Sequence, residues 1–396
     1  LRQTIRAALS SAVSFDDFPQ PEIPSAVTAV STIKSFLYFI MITKGNSNMM
    51  NKEDFFYDAT VALCAKPEYA FAREPVLRRM ADGSLISTAL SGGPGEPHED
   101  NFVLSVRSED EGKTWSKPEI LFRHGERAVW VTEIFTEGVC PMMFVHTYHT
   151  PSFYREIHSY ISYGSEDGKK WEMPRNIPNG LGNFSVRQGI VLSNNTWLFP
   201  VYWQAVEEGW DWIEAPAKAP DYVTMKWPTR CGVIISEDQG RSFSIYGDLR
   251  ADYPLWENNV CELPDRSLLM LMRAEFSGVL YRSMSYDMGK TWSVPEPTEI
   301  PNPNSKISLC RIRNKIVLAL NPAPPASKTV FSARKNLSLW VSDDGLNWNK
   351  QIPVAKPEKA LFYPHLLPQD DKELLYLMCE DGEVHYFVKI PYEAFL

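Results

Sequence analysis

Five aspartates in this 396-residue chain stand in one recurring string. It reads SEDEGKTW from Ser108, SEDGKKW from Ser165, SEDQGRSF from Ser236, SYDMGKTW from Ser285 and SDDGLNW from Ser342. A carboxylate beside a hydroxyl could do acid–base work, but recurrence argues for organisation instead. Asp is suited to accept backbone N–H bonds in a turn, Gly supplies a positive φ, and the closing aromatic can plug between neighbouring sheets. The string is a fold marker. Cys occurs at positions 64, 140, 231, 261, 310 and 379, without a CxxC or a Cys/His pair at metal spacing. No His/Asp/Glu cluster has ligand spacing either, so neither metal nor cofactor is expected.

The elements that must position any chemistry are short. From about Asp58 onward, β-type runs such as LISTAL, FVLSVRS, WLFPVYW, CGVIISE, SLLMLMR, KIVLAL and LLYLMCE alternate with turn signals. A second signal puts Asp/Asn/Gly chemistry directly before an apolar run: ADGSLI at Ala81, SNNTWL at Ser193, PDRSLL at Pro264, RNKIVL at Arg313 and QDDKELL at Gln369. The aromatics closing the first string, Trp115, Trp171, Phe243, Trp292 and Trp348, are spaced by 56, 72, 49 and 56 residues. A period near 50 with four strands per unit is that of a β-propeller blade. Five marked blades and one unmarked blade, closed by N- and C-terminal strands, predict an all-β, six-bladed propeller over residues 50–396.

Bulk properties narrow the function. The formal charge of −9 and pI near 5.4 argue against a nucleic-acid surface. FLYFIMI, Phe36–Ile42, is far too short to span a membrane and sits too deep in the chain, without a small-residue cleavage site, for a good signal peptide. Residues 1–49 read as an extension, disordered or poorly ordered. Most Cys lie in strand-like strings, where a thiol acts as a small core hydrophobe. Reduced thiols fit a cytoplasmic setting; a secreted one is the alternative if the true N-terminus lies upstream of residue 1.

The repeat resembles the Asp-box, or bacterial neuraminidase repeat, of the sialidase superfamily, over most of the chain from about residue 58. Binding propellers also carry Asp-boxes, so the other family positions decide. AFAREPVL matches the family's opening Arg-Ile-Pro string at Arg73 and Pro75, with Glu74 in place of Ile. WENNVCELPDRSLLMLMR places a second arginine at Arg273, and NPAPPASKTVFSARKNLSLWVSDDG a third at Arg334. The resemblance implies that these three hold a substrate carboxylate, for which guanidinium forks are the matching geometry.

It also implies an acid and a nucleophile. A carboxylate on the anomeric carbon would repel a carboxylate nucleophile, and sialidases use Tyr activated by Glu instead. Glu257 matches that Glu, Tyr363 the Tyr (with Pro364 where the family usually has Ser), and Asp100, in PHEDNFVLSVRSEDEG, the general acid. His98 and Glu99 crowd Asp100 and could share or displace its role. Arg187, in FSVRQGIVL, looks inward-facing. The Trp- and Pro-dense stretch from Trp203 to Arg230 could line a pocket mouth and stack on sugar rings, or cap the rim. The expectation is a retaining exo-α-sialidase acting on a sialylated glycan. The alternatives are a propeller glycosidase for another acidic sugar and a non-catalytic Asp-box propeller that binds glycan or protein.

Overall fold

The computed structural model describes residues 49–148, 157–204, 212–214, 223–225, 229–275, 277–323 and 333–396. The expected extension lies outside the described residues except for Met49, as does most of the Trp- and Pro-dense stretch.

Six antiparallel blade sheets follow one another along the chain, and a separate two-stranded sheet pairs Trp212–Glu214 with Val223–Met225. Blade one holds Arg73–Arg79, Leu85–Ser91, Phe102–Ser108 and Glu119–Arg123; blade two holds Ala128–Phe135, Met142–Tyr148, His158–Tyr163 and Arg175–Asn176. In blade three the innermost strand is split into Ser185–Val186 and Ile190–Val191, followed by Trp197–Gln204, Thr229–Ser236 and Ser244–Leu249. Blade four is Leu255–Glu262, Leu268–Ala274, Val279–Ser285 and Glu296–Pro301. Blade five is Ser308–Ile312, Lys315–Leu320, Ser338–Ser342 and Trp348–Pro353. In blade six, Phe362–Gln369, Leu374–Glu380 and Val384–Pro391 take their fourth strand from the N-terminal side, Asp58–Cys64. Innermost strands of neighbouring blades touch, except that Leu255–Glu262 of blade four meets the second and third strands of blade three, and the first blade meets the sixth, so the ring closes.

Local chemistry explains the repeat. Five of the six first hairpins, all but that of blade two, turn on a residue with positive φ: Gly83, Asn195, Arg266, Arg313 and Glu373. In three of them a side-chain oxygen also accepts the N–H two residues on: Asp82 from Ser84, Asn194 from Thr196 and Asp265 from Ser267, at 3.0–3.1 Å. Every Asp-box joins the third strand of a blade to its fourth. In blade four, Asp287 Oδ1 accepts the Thr291 N–H at 2.8 Å, Oδ2 accepts the Thr291 hydroxyl at 2.6 Å, and Ser285 Oγ accepts the Gly289 N–H at 2.9 Å. The same bonds recur around Asp110 and Asp238.

Blade six has no box because its third strand ends the ring and its fourth comes from elsewhere in the chain. The box glycines do more than turn. A Cβ on Gly289 would lie 2.8 Å from Leu198 of the preceding blade, and one on Gly345 2.9 Å from Leu263 of its own preceding blade. The box aromatics lie in the same seams. Trp115 meets Phe387 edge-on at 5.5 Å, and Phe243 packs among Phe144 and Phe199. Cys231, Cys261, Cys310 and Cys379 are buried, Cys64 is partly buried and Cys140 is exposed.

Candidate active site

Three innermost strands carry the same irregularity. In blade one Arg73 pairs with Leu90 and Val76 with Thr88, so one side advances three residues while the other advances two. Blade four repeats this between Trp256 and Asn259, and blade six between Phe362 and His365. The residue after the first pair is Glu74, Glu257 or Tyr363, with φ of 53°, 45° and 52°. Positive φ in a non-glycine residue costs on the order of 1–3 kcal/mol and persists where the surroundings enforce it. A β-bulge re-aims a side chain and interrupts the ladder. Three equivalent bulges thus turn two carboxylates and a phenol out of register at the centre of the ring. Pro75 and Pro364 follow two of them, where a missing N–H breaks no ladder bond. The Tyr-Pro pair that departs from the family pattern therefore fits its place. The next strand contributes at the same level: Arg273 lies opposite Trp256 and Glu380 opposite Phe362.

These side chains converge on Tyr363, which is buried. The guanidinium carbon of Arg334 stands 4.8 Å from the centre of its ring. Burial pushes the Tyr363 phenol well above its ordinary value; Arg334 opposes the rise, Glu257 adds to it, and Arg273 opposes it in turn. Arg334 is only 1% exposed and donates to the carbonyl of Asn304 at 2.7 Å. Arg273 spans two carboxylates, Glu257 at 2.9 Å and Glu275 at 2.5 Å. Burial raises the Glu275 carboxyl, against the pull of Arg273. Arg73 lies 3.1 Å from Glu96. Burial works against its charge, but Glu96, Glu380 and Tyr363 outweigh it and hold the guanidinium above its usual range.

The structure therefore brings Arg73, Arg273, Arg334, Glu257 and Tyr363 together from blades one, four, five and six. No hydrogen bond joins the Tyr363 hydroxyl to Glu257 among the described residues; the Glu257 carboxylate is held by Arg273. Arg187 is also buried, 3.6 Å from Glu74. Asp100 is not drawn in. Its side chain is 68% exposed and faces His98 Nδ1 at 3.4 Å, while Glu99 stands 3.8 Å from the other ring nitrogen.

Four carboxylates and a lysine escaped the sequence reading. Glu74 accepts from Lys306 Nζ at 2.9 Å, and its own N–H donates to Glu380 at 2.9 Å. Burial alone would raise the Glu74 carboxyl, but Lys306 and Arg187 hold it well below the usual range. Its signal was visible as the residue replacing Ile in AFAREPVL. Lys306, Glu275, Glu380 and Glu96 had no signal, because their partners are distant in the chain or unmarked by any motif.

Fold and site together define a six-bladed Asp-box propeller whose centre is lined by arginine, glutamate and one tyrosine. The model of the BNR repeat-like domain matches residues 83–385, and the chain belongs to that family. A sialidase of Bacteroides fragilis is 22% identical over 313 residues, covering 70% of this chain and 54% of that protein. The chain thus spans about half the length of this relative. Among solved structures, the Hadza microbial sialidase Hz136 superposes with a TM-score of 0.65 at 17% identity, over 83% of this chain and 67% of that one. The intramolecular trans-sialidase of Ruminococcus gnavus, solved with oseltamivir carboxylate, gives 0.63 at 13%, over 87% and 99%. At these identities the structural likeness speaks to the fold alone.

Proposed function

We propose that this chain is a retaining exo-α-sialidase that removes terminal sialic acid from glycoconjugates. The observation that carries the reading is the convergence of three arginines from three blades on one buried tyrosine with a glutamate beside it. The sugar carboxylate would lie across the forks of Arg73, Arg273 and Arg334, each of which already faces a carboxylate or carbonyl oxygen in the free protein. Tyr363 Oη would attack the anomeric carbon as its proton passes to Glu257. The glycosidic C–O bond breaks, and its oxygen takes a proton from the loop at residues 92–101. Water then cleaves the aryl glycoside, which restores the tyrosine and gives retention. A neutral phenol needs its base at the moment of attack, and burial keeps this one neutral at physiological pH.

A second reading, hydrolysis of another acidic sugar on the same machinery, is favoured by Glu74. With Lys306 and Arg187 it makes a charged floor where the resembling family has an isoleucine. Release of free sugar from a fluorogenic sialoside, set beside a uronide and a different ulosonic acid glycoside, tests both. Turnover of the sialoside alone is the expected result; turnover of only another glycoside selects the second reading, and turnover of none overturns both.

A further inference from the structure

The loop at residues 92–101 joins the second strand of blade one to the third and carries three carboxylates, Glu96, Glu99 and Asp100. Only one of them faces the site. Asn101, fully buried, fixes the loop from within: its Nδ2 donates to the carbonyls of Gly92 and Gly95 (the latter at 2.9 Å), and its Oδ1 accepts the His98 N–H at 2.8 Å. This folding back turns Glu99 and Asp100 outward around His98, with side chains 48% and 68% exposed. It turns Glu96 inward, Oε1 3.1 Å from Arg73 Nη1. The other oxygen, Glu96 Oε2, is buried and has no hydrogen-bond partner among the described residues. A buried carboxylate oxygen left unmatched is costly unless something else satisfies it, such as a proton or a ligand.

We propose that Glu96, rather than Asp100, donates the proton to the leaving oxygen, a step that rests on the glycosidase reading above. The geometry supplies a trigger. In the free protein the Arg73 guanidinium favours the ionised form of Glu96. A substrate carboxylate that takes over the Arg73 fork removes that stabilisation and sets a second negative charge beside Glu96. Both changes drive Glu96 to take up a proton, in addition to the burial that already raises its carboxyl. Binding thus arms the acid: the incoming carboxylate loads the proton that the departing alcohol needs. When the glycosidic bond breaks, the electron pair goes to the leaving oxygen together with the Glu96 proton. The resulting carboxylate can then take a proton from the water that attacks the tyrosyl intermediate.

Two measurements on the full chain test this. The first compares kcat/KM for sialyllactose, with its poor leaving group, and for a 4-methylumbelliferyl sialoside, with its good one. Glu96→Gln should lose about 10²–10³-fold on sialyllactose and far less on the fluorogenic substrate, since general acid catalysis is worth about 10²–10⁴-fold and a good leaving group needs little of it. Asp100→Asn should stay within about threefold of the parent on both. The second is calorimetric titration with the unsaturated inhibitor 2-deoxy-2,3-didehydro-N-acetylneuraminic acid in buffers of different ionisation enthalpy. The parent should take up a proton on binding, and Glu96→Gln should bind without uptake. Parent-like cleavage of sialyllactose by Glu96→Gln, or a leaving-group-dependent loss in Asp100→Asn, overturns the assignment and leaves the functional reading intact. A parent that neither cleaves nor binds sialosides overturns both.

Discussion

At the scale of single residues, the site is a set of charges balanced against one another under burial. Tyr363 has an arginine against its ring and two glutamates, Glu257 and Glu74, whose charges raise its phenol, and each neighbour bears on whether that phenol can act. Tyr363→Phe removes only the attacking oxygen. It should lower kcat by at least about a hundredfold while an acidic-sugar inhibitor still binds through the arginines, a contrast that inhibitor titration beside turnover would show. Retention of the parent kcat would end the tyrosine mechanism for this chain. Arg273 is a different case, since it separates two buried carboxylates. Arg273→Gln leaves both without their cation, so it should cost about 3–5 kcal/mol of stability besides activity, read from urea denaturation. A variant of undiminished stability would mean that Glu257 and Glu275 are paired by other groups.

The element that matters most is the innermost strand with its bulge. A strand in perfect register points successive side chains to opposite faces. The extra residue in blades one, four and six breaks that alternation where Glu74, Glu257 and Tyr363 stand. The opposite end of the element scale is the Asp-box, at the outer hairpin. Asp287→Ala deletes the acceptor of the Thr291 bonds, and Gly289→Ala puts a methyl against Leu198 at a φ of 89°. Each should lower the urea midpoint by an amount equivalent to about 1–3 kcal/mol without changing kcat. A folded but inactive Asp287→Ala protein would mean that the box takes part in the chemistry.

Over the whole molecule, two features hold the ring together. The first is its closure: Asp58–Cys64 pairs along Val384–Pro391, so the sixth blade is complete only when the two ends of the propeller meet. A chain lacking everything before residue 65 should leave that edge open and fail to fold, as circular dichroism and gel filtration would report. A soluble, monomeric product with native spectra would show the clasp to be dispensable. The second is the acid limit. Lys359 and the Asn51 N–H pull Asp54 down to about 2, Thr114 does the same for Asp110, and Arg79 for Glu111. These groups bind fewer protons folded than unfolded. Their contribution is therefore complete above the unfolded carboxyl range near pH 4 and is lost as pH falls toward about 2. The urea midpoint should drop steadily from pH 5 to pH 3, and a flat profile would show these groups to be unimportant.

What the sequence determined by itself was everything governed by local chemistry. Turn residues mark the hairpins, short apolar β-type runs mark the strands, and the five boxes count the blades, because each signal is complete within about eight residues. The absence of a box in blade six was readable too, as the mark of a ring closed by its ends. Three arginines, Glu257 and Tyr363 were found because a family pattern names them, and Glu74 stood out only as a departure from it. The tertiary structure alone decided which carboxylate meets which cation. Glu74 reaches Lys306 across 232 residues, and its N–H reaches Glu380 across 306. It also set the directions of Glu96, toward Arg73, and of Asp100, toward solvent, four positions apart on one loop. Their difference is one of direction, set by how Asn101 folds that loop back on itself, and composition does not record direction. Burial, the main cause of the raised Tyr363, Glu275 and Glu96 groups, exists only once six blades have closed around them.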